Sequence, residues 1–152
     1  MLKKMFSLFS LTSSQRQEIH REINLFEAMQ AHAAWKKRLN DYVENRSSEE
    51  LQPHQVGMDN RCVLGKWIHG PGKEHFGDEP LFRQLEEEHA KFHYHASKVV
   101  EAYQAGDKAL TERLLSDNFS EQSRKTVNCL AKINAMVEGK ELTQQQLVLQ
   151  TV

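Results

Sequence analysis

The chain has 152 residues and a formal net charge of −1 at pH 7, from 20 basic and 21 acidic residues. That length suits one domain with a buried core, and the charge balance argues against nucleic acid as a partner. Two cysteines are too few for a secreted domain held by disulfides. Eight histidines are many for this length and are a first indication of metal binding.

Residues 1–13 are predicted to form a flexible N-terminal segment. They resemble a signal peptide only superficially, because serines interrupt the apolar run and no small-residue cleavage site follows. No stretch of the chain reaches the roughly 20 apolar residues that a membrane span needs. We therefore expect no membrane span and a cytoplasmic location. Docking to a partner or to a membrane surface is the other use that this segment could have.

The first predicted helix runs from about Ser14 to Asn45, because apolar residues recur there every three or four positions. A polar loop over residues 46–60 follows, marked by one proline and one glycine. A short helix is then predicted from about Arg61 to His69. Asp59 or Asn60 would be its N-cap.

Two longer helices complete the predicted bundle. One runs from Pro80, a residue that suits the first helical turn, to about Gln104. The other spans about Lys108 to Glu138 and ends at a glycine. Residues 140–152 are rich in glutamine and are predicted to form a loose C-terminal tail. We therefore predict an all-α domain over residues 14–139, a four-helix bundle made of three long helices and a short extra helix that carries a cysteine.

Four side chains of this bundle are candidate metal ligands. His89 and His93 stand four apart on the apolar stripe of one helix, so their imidazoles lie on the same side. Buried imidazoles need partners for their nitrogens. His32 also lies on an apolar face, and Cys62 falls near a helix N-terminus, where the helix dipole favours a thiolate. Three imidazoles and one thiolate suit a closed zinc site, although core histidines bonded to the backbone and a plain buried thiol remain the alternative.

The same residues belong to a longer sequence pattern. It reads Asp59-x-x-Cys62-x-Leu64-Gly65-Lys66-Trp67-Ile68, then His89-x-x-x-His93, with the isolated helical His32 before it. This order resembles the chemoreceptor zinc-binding (CZB) domain family over about Glu22 to Val137. The resemblance implies a helical bundle, often a homodimer, that binds one Zn²⁺ through His32, Cys62, His89 and His93.

The resemblance also implies a regulatory function. A zinc ion with four protein ligands has no open position for substrate water, so we expect no catalytic residues and no enzyme. Members of the family usually control an attached module, but a Gly-Gly-Asp-Glu-Phe stretch and a long coiled coil are both missing from this sequence. We therefore expect a stand-alone bacterial domain that acts on a separate partner, of the chemoreceptor or diguanylate cyclase type, in chemotaxis or cyclic-di-GMP control.

Two routes of signalling are compatible with such a site. In the first, zinc occupancy is itself the signal. In the second, an oxidant such as hypochlorous acid converts the thiolate of Cys62 to sulfenic acid. In both, Cys62 is expected to be the ligand that moves, because its helix is the shortest. Asp59 is expected either to cap that helix or to orient a ligand.

Other classes of protein remain as alternatives. A hemerythrin-like di-iron protein needs inward carboxylates, but Glu86 to Glu88 form a run of charges that would mostly face water. A zinc hydrolase needs an open coordination position and a general base. A metal-free helical adaptor needs none of these features. Cys129, Trp35 and Trp67 are expected to be core residues in every case.

Overall fold

A computed structural model describes residues 5–139 of the chain. All regular structure within that range is helical, so the predicted all-α class is confirmed. None of these helices is both long and apolar enough to cross a membrane. The predicted tail, residues 140–152, and residues 1–4 lie outside the described range.

The helices follow one another with short connections. Their bounds are α1 Ser13–Glu22, α2 Leu25–Ala33, α3 Trp35–Val43, α4 Pro53–Val56, α5 Val63–His69, α6 Pro71–Phe76, α7 Pro80–Gln104, α8 Lys108–Arg113, a π-helical segment Leu114–Phe119, and α9 Ser120–Val137. The long helix α7 has the bounds that the sequence predicts. It packs against α9, α4, α3 and the π-helical segment, and is therefore the centre of the bundle.

The segment predicted as one helix from Ser14 to Asn45 forms three helices. Ile23 is extended, with φ −156° and ψ 148°, and Asn24 then caps α2 by accepting the backbone N–H of Glu27 at 3.0 Å. In this way asparagine side chains compete with the backbone hydrogen bonds of a continuous helix. The break shifts the helical phase, and Phe26, which an unbroken helix would place on the apolar face with Ile19 and Ile23, is 51% exposed.

The connection between the helices predicted to end near His69 and to begin at Pro80 also contains a helix. Pro71 begins α6 at its first position, where a proline is tolerated because no N–H partner is needed there. Phe76 at the end of α6 is fully buried. The glycines around Pro71 therefore separate two short helices instead of opening a long loop.

The core consists of two apolar clusters that share α7. One cluster includes Phe82 and Leu85 in the first part of α7, with residues of α1, α2, α5 and α9 around them. The other includes Phe92 and Ala96 later in α7, with residues of α3 and the π-helical segment. His89 lies on α7 between these two sets and is fully buried. Polar side chains at the junction of two apolar clusters need a specific partner.

Residues 5–12 pack against the bundle, which differs from the predicted flexible segment over residues 1–13. Leu8 and Leu11 lie in the first apolar cluster. The backbone N–H of Phe6 donates to the carbonyl of His75 at 2.8 Å, and the two rings stack with their centroids 4.1 Å apart. The difference arises because leucines three positions apart reach the same core, which composition alone does not reveal.

Replacing Leu8 tests whether this segment contributes to stability. Leu8 is 3% exposed, whereas its neighbour Phe9 is 84% exposed. We expect Leu8→Ala to lower the free energy of unfolding by about 2 to 4 kcal/mol, since it leaves a cavity. The matched change Phe9→Ala should stay within about 0.5 kcal/mol. Urea unfolding followed by circular dichroism measures both, and equal effects of the two changes would contradict the packing described.

Candidate metal centre

Four donor atoms converge at the junction of the two apolar clusters. They come from His32 on α2, Cys62 just before α5, and His89 and His93 on α7, and all lie within 4.8 Å of one another. The three histidines are buried and Cys62 is half-buried. The structure thus brings together every candidate ligand that the sequence indicates.

Five of the six distances between the donor atoms are close to those around a tetrahedral ion. Nε2 of His89 lies 3.2 Å from Nε2 of His32 and 3.1 Å from Nε2 of His93. Sγ of Cys62 lies 3.3 Å from His89, 3.7 Å from His93 and 3.8 Å from His32. Tetrahedral zinc with the usual bond lengths keeps such ligand atoms about 3.3 to 3.6 Å apart. The five distances lie within about 0.2 Å of that range, so the donor atoms suit an ion of this size.

Backbone carbonyls orient two of the imidazoles. Nδ1–H of His32 donates to the carbonyl of Ala28 at 2.7 Å, and Nδ1–H of His93 donates to the carbonyl of Val56 at 2.9 Å. This leaves Nε2 of each ring without a proton and directed at the centre, the arrangement typical of metal-binding histidines. Nδ1 of His89 is buried and has no hydrogen-bond partner within residues 5–139. Packing alone orients that ring.

Burial keeps all three imidazoles neutral. It lowers the pKa of His32 and of His93, and it lowers the pKa of His89 to about 2, with the neighbouring histidines adding to the shift. Neutral imidazole is the form that binds a metal. The rings therefore need to lose no proton in order to bind a cation near pH 7.

The pKa of the Cys62 thiol differs from the expectation that a helix N-terminus alone would favour the thiolate. Burial raises its pKa, and the backbone N–H groups of Gly65 and Leu64 offset only part of that shift. A nearby cation is what would stabilise the thiolate in this environment.

Cys62 is itself the N-cap of α5, which corrects the prediction that Asp59 or Asn60 is the cap. Its backbone is extended, with φ −75° and ψ 164°, and Sγ accepts the N–H of Gly65 at 3.3 Å. Gly65 is required for this geometry, because a Cβ there would lie 1.8 Å from the carbonyl oxygen of Asp59. The Cys-x-Leu-Gly stretch therefore fixes the position of the sulfur through close backbone packing.

Aromatic rings line the apolar side of the site. The centroid of Phe92 lies 5.1 Å from that of His32 and 5.4 Å from that of His93, and Trp35 approaches His93 at 6.5 Å. Phe119 of the π-helical segment backs Phe92 at 5.2 Å. The three histidines are thus shielded from water, while Cys62 remains partly exposed.

The remaining candidates lie apart from the four donor atoms. The carboxylate of Asp59 lies 3.3 Å from Nε2 of His69, so it pairs with the last residue of α5. Glu88 accepts the side-chain amide of Gln122 at 2.6 Å. Among residues 5–139, the cluster that holds His89 contains no carboxylate, which disfavours a di-iron centre.

Cys129 is a core residue, as predicted. Burial raises the pKa of its thiol to about 12, with the charge of Glu88 adding to the effect. A thiol that is buried and protonated in this way is chemically inert. The two cysteines therefore differ in exposure and in reactivity.

Sequence reasoning missed a second polar cluster formed by Glu18, Glu22 and His75. Glu18 and Glu22 stand one helical turn apart on α1, which is a weak signal because such pairs are common on exposed faces. Their partner His75 lies 53 positions from Glu22. No local pattern could have paired them.

Comparison with known protein families gives one match. Residues 32–100 match the model of the chemoreceptor zinc-binding domain, CZB. This confirms the resemblance over a shorter span than the sequence pattern suggested, somewhat less than half of the chain, and the span contains all four clustered residues. No curated protein and no solved structure matches the chain.

Replacing Gly65 tests whether close backbone packing positions the sulfur. We expect Gly65→Ala to push the Asp59 backbone away and to weaken zinc binding by roughly 10- to 100-fold, with a loss of about 1 to 3 kcal/mol in unfolding free energy. Gly106→Ala is the matched control, since Gly106 has φ +77° and nothing within 4 Å of a Cβ. It should cost about 1 kcal/mol of stability and leave zinc affinity unchanged. Competition with a chromophoric chelator measures affinity, and a wild-type value for Gly65→Ala would contradict the account.

Proposed function

We propose that this chain, which carries a chemoreceptor zinc-binding domain at residues 32–100, binds one Zn²⁺ through His32, Cys62, His89 and His93 and acts as a sensor. The observation that carries the proposal is the convergence of three neutral imidazoles and one thiol within 4.8 Å of one another, inside a helical core. The donor set, N₃S, is one that zinc accepts in closed sites. We further propose that the zinc-binding bundle spans residues 14–139.

A closed site favours regulation over catalysis. When bound, zinc supplies the positive charge that holds Cys62 as a thiolate, and four protein ligands leave no position for substrate water. Binding displaces one proton from the thiol and none from the neutral imidazoles. The thiolate then connects the N-terminus of α5 to α2 and α7, whose apolar contacts do not depend on the ion.

Zinc occupancy is the first way in which such a site could signal. The loop before Cys62 contains residues of intermediate burial, whereas α5 is anchored by the buried Leu64, Trp67 and Ile68. We therefore expect the Cys62 backbone and residues 57–61 to respond to occupancy, with α5 staying in place. This keeps Cys62 as the ligand that moves, and assigns the motion to the backbone before α5.

Oxidation of Cys62 is the second way. The thiolate attacks hypochlorous acid, two electrons pass from sulfur to chlorine, and the products are the sulfenic acid and chloride (RS⁻ + HOCl → RSOH + Cl⁻). The sulfur thereby loses the negative charge that made it a strong ligand. Cys62 is half-buried and has its Sγ at the edge of the histidine cluster, whereas Cys129 is buried and protonated. The reaction should therefore be confined to Cys62.

We propose that the signal passes to a separate chemoreceptor or diguanylate cyclase, in bacterial chemotaxis or cyclic-di-GMP control, with this chain acting as a homodimer. The description of the matching family supports a link to chemoreceptors. Reduced thiols such as the one that this proposal needs persist in the cytoplasm, where we place the signalling. A metal-free adaptor is the function that would remain if the site bound no zinc.

Metal content tests the zinc proposal. We expect about one zinc per chain by inductively coupled plasma mass spectrometry, on protein purified without chelator or metal-binding tag. Cys62→Ser should lose most of the zinc because it removes the only anionic ligand, and Cys129→Ser should keep it. Absence of zinc in the wild type, or full zinc content in Cys62→Ser, would refute the assignment.

Treatment with hypochlorous acid tests the redox route separately. At one equivalent, we expect a sulfenic-acid probe to label Cys62 before Cys129, in step with zinc release reported by a chromophoric chelator. The reason is that Cys62, unlike Cys129, is partly exposed and would be a thiolate when zinc is bound. Zinc release from protein whose Cys62 is still unmodified, identified by peptide mass spectrometry, would exclude this route and leave zinc occupancy as the signal.

A further inference from the structure

The carboxylate of Glu22 joins three helices at a point away from the four clustered ligands. Its Oε2 accepts the indole N–H of Trp67 at 3.0 Å, and its Oε1 accepts Nε2–H of His75 at 2.7 Å. These partners lie 45 and 53 positions away in the chain, on α5 and α6. Glu22 is the last residue of α1 and is only partly exposed. Both carboxylate oxygens are therefore engaged by separate elements.

Trp67 has little freedom to turn away from this carboxylate. Its side chain is 3% exposed and packs edge-on against Phe82, with centroids 5.9 Å apart. Gly72 lies against the six-membered ring of the indole, where a Cβ would come within 2.9 Å of ring carbon Cε3. The indole N–H therefore points in a fixed direction, and its hydrogen bond to Glu22 links α5 to the C-terminal end of α1.

The same hydrogen bond lies between the elements that carry two of the four clustered side chains. Cys62 caps α5 at the end opposite Trp67, so a tilt of α5 moves Sγ. Glu22 immediately precedes the break at Ile23 and Asn24, after which α2 carries His32. The hydrogen bond from Trp67 thus joins the helix that holds the sulfur to the junction that leads to the first imidazole.

We propose that Glu22 is a positioning residue for Cys62, which sets the separation between Sγ and Nε2 of His32 by holding Trp67. The inference rests on the proposed zinc function for its physiological meaning. The contact itself is a property of the fold, so it can be measured whether or not metal is bound. The packing of Phe6 against His75 extends the contact to the N-terminal segment.

Three variants test this role. Glu22→Leu removes both acceptor oxygens at similar size, whereas Glu22→Gln keeps one amide oxygen that can still accept the indole N–H. Glu18→Leu is the matched control, one turn earlier on the same helix, because Glu18 is 47% exposed and its carboxylate is 4.0 Å from Nε2 of His75. All three are made with Cys129→Ser, which leaves Cys62 as the only thiol of the two in the sequence.

Three readouts are compared across the variants. They are zinc affinity by chelator competition, the rate at which zinc-free Cys62 is alkylated, and the ¹H–¹⁵N resonance of the Trp67 indole, assigned with Trp67→Phe. We expect Glu22→Leu to weaken zinc binding roughly 10- to 100-fold, to change the alkylation rate and to shift the indole resonance. Glu22→Gln should restore most of each value, and Glu18→Leu should match the wild type.

Distinct outcomes overturn the proposal. It fails if Glu22→Leu leaves the zinc affinity, the alkylation rate and the indole resonance at the wild-type values, or if Glu18→Leu changes them equally. It also fails if wild-type protein binds a second zinc that Glu22→Leu alone removes, since Glu22 would then be a ligand. If wild-type protein binds no zinc, the proposed function fails, and the alkylation rate and indole resonance alone decide the positioning role.

Discussion

The fold depends on how three imidazoles and a thiol are accommodated inside an apolar bundle. Buried polar groups cost free energy unless they are bonded, and here two rings bond outward to the backbone carbonyls of Ala28 and Val56 while all three face one another inward. Neutral nitrogens that face one another repel through their lone pairs, whereas a shared cation would bond all of them at once. The arrangement is therefore that of a candidate metal centre at the junction of the two apolar clusters.

Placing the site on α7 gives it a rigid base. His89 and His93 are one turn apart on a 25-residue helix whose apolar residues enter both core clusters. Cys62 stands instead at the N-cap of a seven-residue helix, partly exposed to water. Three shielded donor atoms and one accessible donor atom are what the proposed sensor requires, because chemistry at the sulfur would not need the core to open.

Some of this structure follows from local sequence and some does not. Helix α7 was predicted with its observed bounds because Pro80 suits a first turn and a regular stripe follows, and the same stripe indicated His89 and His93 as neighbours. The break at Asn24 was missed because a single side-chain cap outweighs an otherwise continuous apolar period. Cys62 as N-cap was missed because a thiol is an uncommon cap, and the spacing to Gly65 has meaning only once the backbone of Asp59 is in place. The bonds of Glu22 to Trp67 and His75 depend on tertiary packing, for which a single sequence carries no signal.

X-ray absorption at the zinc edge tests the central claim most directly, because it reports which atoms surround the metal. For zinc-loaded protein, the account predicts three nitrogen neighbours at about 2.0 to 2.1 Å and one sulfur at about 2.3 Å, with the sulfur contribution lost in Cys62→Ser. A shell without sulfur, with two sulfurs, or made chiefly of oxygen would contradict the assignment of His32, Cys62, His89 and His93 as the ligands.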